Sequence, residues 1–221
     1  MKKKLDIIYE DKEILVVNKP AKKLTIATTK EQNRTLYHEA REYVKKQNPR
    51  NKIFIVHRLD KDTSGVILFA KSEKLKKMFQ DNWDYLCVNR EYNAIVEGNP
   101  QKKKDTIKSY LMESKTLQVF STNDSKKGKL AITDYEVIDS NKSYSLIRIN
   151  IKTGRKNQIR VHMSDIGCPI VGDKKYNSKT NPLNRLGLHA KVLEIKHPIT
   201  KKIMKFEAKT PKIMTLMFGG E

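Results

Sequence analysis

Ile53-Phe54-Ile55-Val56-His57-Arg58-Leu59-Asp60-Lys61-Asp62-Thr63-Ser64-Gly65-Val66-Ile67-Leu68-Phe69-Ala70 reads as two apolar runs joined by a polar turn. Apolar runs of about four to eight residues, bounded by turn chemistry, are the pattern of buried strands. The turn sets a carboxylate, Asp60, beside a guanidinium, Arg58. Functional carboxylates often sit on loops that a rigid scaffold holds. A capping role suits Asp60 equally well, because aspartate side chains accept backbone N–H groups in turns. The turn alone leaves both roles open. A calcium loop starting at Asp60 fails: its last ligand position, which needs a bidentate acid, falls on Lys71, and strands rather than helices flank it.

Outward from this stretch, strand patterns alternate with a few helical ones. Residues 7–9 and 14–18 read as strands, the second stopped at Lys19-Pro20. Thr35 reads as the N-cap of a helix carrying Leu36, Ala40, Tyr43 and Val44, which ends before Asn48-Pro49. Leu75, Met78, Phe79 and Trp83 give helical spacing over 73–85. A strand is expected at 92–97, short strands throughout 105–152, and a helix over 155–166 with Ile159, Met163 and Ile166 toward the core. In that last helix Arg155, Gln158 and His162 are read as an exposed polar sector. Residues 188–195 and 203–208 form a late strand pair, and 211–218 a short helix. Runs of strands with inserted helices predict an α+β fold on a mixed, largely antiparallel central sheet. No repeat, linker or shift in composition divides the chain, so one domain over 1–221 is expected.

The 221 residues carry 46 Lys+Arg against 25 Asp+Glu, a net charge of +21. Lysine pairs recur along the whole length, so the folded body itself is basic. Such a field attracts a polyanion, nucleic acid first. No apolar run reaches the ~18 residues of a membrane span, and no apolar signal segment follows the first lysines. Cys87 and Cys168 stand apart, outside any metal-type spacing, as suits a reducing cytoplasm.

Two further clusters bear on Asp60. One is Thr153-Gly154-Arg155-Lys156-Asn157-Gln158-Ile159-Arg160-Val161-His162; the other is Arg90-Glu91-Tyr92-Asn93-Ala94, where a tyrosine opens a strand. Taken alone, the first reads as a phosphate-positioning surface and the second as an ordinary strand aromatic. Together, His-Arg-Leu-Asp-x-x-Thr-Ser-Gly at 57–65, Tyr-x-Ala-x-Val-x-Gly at 92–98 and Thr-Gly-Arg-x-x-Gln-Ile-Arg-Val-His at 153–162 resemble, in order, three motifs of the RluA-type RNA pseudouridine synthases. Lys19-Pro20, the 129–135 segment, Gly167 to Asp173 with Tyr176, Arg185-Leu-x-Leu-His-Ala190 and His197-Pro198 extend the likeness over nearly the whole chain.

The resemblance implies a pseudouridine synthase fold of two lobes flanking an active-site cleft, acting on ribosomal or transfer RNA. It implies Asp60 as the catalytic nucleophile or base and Arg160 as the cation that holds Asp60 ionised. Tyr92 would stack on the target base and take part in the final proton removal, as a third catalytic residue, and Leu188 would wall the base pocket. Arg58 would enter the RNA and Arg155 contact its backbone, with His57, Thr63 and Gln158 also on the substrate side. Isomerisation requires no metal, redox group or nucleotide cofactor, and the sequence carries no motif for one. Addition of the carboxylate to C1′ and removal of a C2′ proton both fit. A monomer is expected, with no separate RNA-binding module and no obligate protein partner. A non-catalytic RNA chaperone is the rival reading, which intact Asp60, Tyr92 and Arg160 oppose.

Three positions depart from the family pattern. Lys22 stands where glycine is common and is expected to alter a turn near the RNA. Lys156-Asn157 replaces Thr-His and is expected to exchange a sugar or phosphate contact, and Arg90 replaces a lysine.

Overall fold

The computed structural model describes residues 5–27 and 35–219. In chain order its elements are β1 (Ile7–Glu10), β2 (Ile14–Lys19), α1 (Leu36–Gln47), β3 (Phe54–Ile55), β4 (Ser64–Ala70), α2 (Glu73–Asp81) and α3 (Trp83–Leu86). There follow β5 (Cys87–Glu97), β6 (Lys104–Glu113), β7 (Val119–Thr122), β8 (Lys129–Ser140), β9 (Tyr144–Ile151), α4 (Gln158–Asp165), β10 (Leu188–Lys196), β11 (Ile203–Glu207) and α5 (Lys212–Thr215). The protein is α+β with largely antiparallel sheet, as its sequence pattern predicts. The chain forms two compact units, residues 1–89 with 190–209, and residues 90–189 with 210–221.

The first unit is ordered β1-β2-β4-β10, with β3 on β4 and β11 on β10. β4 lies at its centre and every one of its residues is buried. A strand covered on both faces needs a continuous apolar run, and Val66 to Ala70 supplies it. Val66 and Leu68 join Ile14, Val16, Phe79, Leu193, Ile195 and Phe206 in one core. α1 begins where Thr35 accepts from the His38 amide at 3.2 Å and buries Leu36, Ala40 and Val44, spaced four apart. The helix expected over 73–85 breaks at Asn82, whose backbone and side-chain nitrogens both donate to the Met78 carbonyl. That competition ends α2 and lets α3 start afresh. The strand expected at 53–56 shrinks to Phe54–Ile55.

Lys22 adopts the left-handed backbone, φ 63°, and is exposed. A lysine thus carries the strain of a backbone conformation that favours glycine. Lys22→Gly is expected to raise stability by about 0.5–1 kcal/mol, since a side chain in this region costs ~1–2 kcal/mol and glycine gives part back in unfolded-state entropy. An increased denaturant midpoint at unchanged slope is the check.

The second unit is ordered β5-β9-β8-β6-β7, antiparallel throughout. β6 and β8 run to 10 and 12 residues, longer than the short strands expected there. Ile147 and Ile149 are fully buried on the face that α4 covers, against Ala94, Val96, Ile159 and Met163. α4 starts at Gln158, three residues later than expected, because Asn157 takes a left-handed conformation at φ 55°.

Beneath β6 and β8, His162 is fully buried, with Nε2 3.0 Å from the Ser109 hydroxyl and Nδ1 2.9 Å from that of Thr133. Burial lowers its pKa from 6.5 to about 4, against a smaller opposing effect of Asp165. The folded state thus binds fewer protons than the unfolded chain once pH falls below about 6.5. The cost grows down to about pH 4, where it levels off near roughly 3 kcal/mol. Unfolding free energies of the wild type should fall through this window, and His162→Gln should flatten that part of the profile. Parallel profiles for the two proteins would show that His162 does not govern it.

Candidate active site

The turn between β3 and β4 belongs to the first unit, and three consecutive carbonyls in it are pinned. The Thr25 hydroxyl donates to Leu59 O at 2.8 Å, the Thr63 amide to Asp60 O at 3.2 Å, and Lys19 Nζ to Lys61 O at 2.9 Å. Lys19 is wholly buried, and its ammonium also donates to Lys23 O (2.7 Å) and Pro20 O (3.2 Å). Carbonyl oxygens thus receive all three of its protons, as a buried cation requires. This bracing ties the backbone around Asp60 to the end of β2 through Lys19 and to the 20–25 segment through Thr25. Asp60 is half-buried and Arg58 exposed. Thr63 is buried, 2% exposed. His57 turns inward: its Nε2 accepts from the Leu68 amide at 3.0 Å, and its ring packs at 5.1 Å on Trp83. His57 is thus held against β4 and Trp83 from within the same unit.

Lys19 and Thr25 were absent from the sequence-derived site. Lys19 had a signal, a lysine in step with inward-facing Leu15 and Val17. Thr25 had none, since it lies in a segment without periodicity.

The second unit carries Tyr92, Arg155, Gln158, Arg160 and Leu188. Tyr92, opposite Ile149 on β9, is half-buried and packs on the core that includes Leu188, 3% exposed. Arg155 is exposed, and its Nε donates to Leu130 O at 2.9 Å. Gln158 corrects the sequence reading. It is 3% exposed, accepting from Thr153 Oγ1 (2.7 Å) and the Arg155 amide (3.0 Å) and donating to Ile132 O and Thr133 Oγ1, both at 2.9 Å. Its hydrogen-bonding capacity is used inside the unit, so it shapes the 153–158 turn and does not face substrate. The exposed sector expected for α4 likewise loses His162 to the interior.

Arg160 is held on several sides within its unit. Nε and Nη2 donate to the two oxygens of Asp173, each at 2.7 Å. Nη1 donates to Asn157 Oδ1 at 3.1 Å, and the guanidinium carbon lies 4.9 Å from the Tyr176 ring centre. Asn157 Nδ2 in turn donates to Tyr176 Oη at 2.9 Å. The exchange at 156–157 thus works inward through Asn157, while Lys156 pairs with Glu113. Arg90 donates to Lys152 O at 3.2 Å, beside Gly154.

Among the described residues, Asp11, Glu13 and His197 form the group that could hold a metal. Their hydrogen bonds oppose it. His197 Nδ1 accepts from the Ile199 and Thr200 amides at 3.3 and 3.1 Å, which puts the ring proton on Nε2, 3.4 Å from Asp11 Oδ2. Asp11 also accepts from the Glu13 and Ile14 amides and from Tyr9 Oη. The nitrogen facing the group is a donor, and the cluster braces two turns.

Residues 13–165 match the family model described as RNA pseudouridylate synthase. The chain is 39% identical over 95% of its length to ribosomal large subunit pseudouridine synthase C of Rickettsia prowazekii, covering 69% of that protein. It is 34% identical over 97% of its length to ribosomal large subunit pseudouridine synthase D of Zymomonas mobilis, covering 72%. The fold is shared with human RNA pseudouridylate synthase domain containing 4, with a TM-score of 0.78 at 22% identity over 95% of this chain and 90% of that one.

Proposed function

Since the chain belongs to the RNA pseudouridylate synthase family, we propose that Asp60 is its catalytic carboxylate and that its substrate is structured RNA of the large ribosomal subunit. The enzyme isomerises uridine to pseudouridine. The observation that carries the assignment of Asp60 is the three-carbonyl clamp around it. Catalytic groups act best when their backbone is fixed before substrate arrives.

The reaction breaks N1–C1′, turns the uracil, and forms C5–C1′. Asp60 adds to C1′ or takes a proton from C2′ to release the base. Tyr92 stacks on the uracil as it turns, and Leu188 excludes water beside it. Arg160 contributes a fixed positive charge to the reaction. C5 loses a proton and N1 gains one, so no co-reactant is consumed. Arg58, exposed on the same turn as Asp60, enters the RNA to offset the few kcal/mol of unstacking. Dispersed lysines contact phosphates, and relatives named for ribosomal large-subunit RNA favour that substrate. The proposal also includes a single catalytic domain over 1–221, acting as a monomer in the cytoplasm.

The purified protein is tested on unmodified large-subunit ribosomal RNA and on transfer RNA, with carbodiimide adducts mapped by reverse transcription. New stops at defined uridines of the ribosomal RNA are expected. Stops confined to transfer RNA would overturn the substrate, and none in either would overturn the catalytic assignment.

A further inference from the structure

We propose that Asp173 is a positioning residue that sets the plane of the Arg160 guanidinium, an inference resting on the reading of Arg160 given under Proposed function. Asp173 is 2% exposed, and a carboxylate that deep is stable only when paired. Its two oxygens take Nε and Nη2 of Arg160 side-on at 2.7 Å, the fork geometry that fixes a guanidinium in orientation as well as place. Asn157 on a third N–H and the Tyr176 face at 4.9 Å close off rotation.

The segment bearing Asp173 is itself anchored. Glu97, ending β5, accepts from the Ser178 hydroxyl at 2.8 Å, the Thr180 hydroxyl at 2.7 Å, and the amides of Lys179 (2.9 Å) and Thr180 (2.6 Å). The Ser178 hydroxyl accepts from the Gly172 amide at 3.0 Å, and the Ser178 amide donates to Asp173 O at 3.1 Å. These donors hold the Glu97 carboxyl below its usual pKa against the opposing pull of burial. Rigidity thus passes from a strand end, through a charged loop anchor, to the arginine. An arginine on an open surface would sample many rotamers; this one is committed to a single plane.

The test is a double-mutant cycle on single-turnover conversion, with RNA affinity measured in parallel. Arg160→Met should lower the rate about 100-fold, and Asp173→Asn about 10- to 100-fold, with Kd within about twofold of wild type. In the Arg160→Met background Asp173→Asn should change the rate by less than twofold, because its effect passes through Arg160. Should Asp173→Asn fail to fold, Tyr176→Phe, which keeps the ring and loses only the hydroxyl, enters the same cycle with a smaller, equally non-additive loss. Additive losses, or a fully active Asp173→Asn, would overturn the proposal. A fully active Arg160→Met would overturn the reading of Arg160 instead.

Discussion

Asp60→Asn is expected to lower uridine conversion by at least about 10³-fold while leaving RNA affinity within about threefold of wild type. The two halves of this expectation have separate origins. Removing a positioned base or nucleophile removes a term present only in the transition state, so the loss appears in the single-turnover rate. Affinity rests on phosphate contacts spread over a +21 chain, and deleting one negative charge can only strengthen that attraction. The substitution is nearly isosteric, and the bonds from Thr25, Thr63 and Lys19 go to backbone carbonyls, not to the Asp60 carboxylate. The backbone of the turn should therefore persist. This variant also decides between the two roles that the sequence left open. Asparagine caps a turn as well as aspartate does, so a capping Asp60 would tolerate the change. Conversion within tenfold of wild type would remove Asp60 from the chemistry.

Strand pattern and motif residues could be read from the sequence because both are local. Val66 to Ala70 is apolar without interruption, and so short a run bounded by turn residues suits a strand covered on both faces; β4 is that strand. Ile147 and Ile149 stand two apart around Arg148, and they face the core. What failed was set by tertiary partners. The 155–166 helix starts late because the Asn157 side chain is drawn inward to Arg160 and Tyr176, which forces a left-handed backbone that no local pattern announces. Gln158 and His162 share a helical face with an exposed arginine in the sequence, yet β8 and β6 supply Thr133 and Ser109 as buried partners for them. Asp173 lies in a segment without periodicity, so its bond to an arginine thirteen residues earlier was invisible. Polar residues that look exposed in a sequence can be structural whenever a sheet brings a matching donor or acceptor.

Gly65→Ala is expected to destabilise the protein by at least about 3 kcal/mol, enough to leave little folded enzyme. A Cβ at Gly65 would lie 2.0 Å from the Ala190 carbonyl oxygen and 2.7 Å from its carbonyl carbon and amide nitrogen. All three are backbone atoms of β10, so no rotamer change relieves the contact, and β4 and β10 would have to separate. Both strands also line the core containing Val66, Leu68, Leu193 and Ile195, so separation opens a cavity among the most buried side chains. Gly65 also sits at φ 119°, which disfavours alanine independently of space. Gly98 separates the two causes: its φ is 72°, and nothing lies within 4 Å of a Cβ built there. Gly98→Ala should cost only the conformational term, about 1 kcal/mol. Equilibrium denaturation of the two variants isolates the close approach as their difference. Equal losses would mean that β10 does not constrain Gly65, and the last residue of the 57–65 motif would then be explained by the turn's backbone conformation alone.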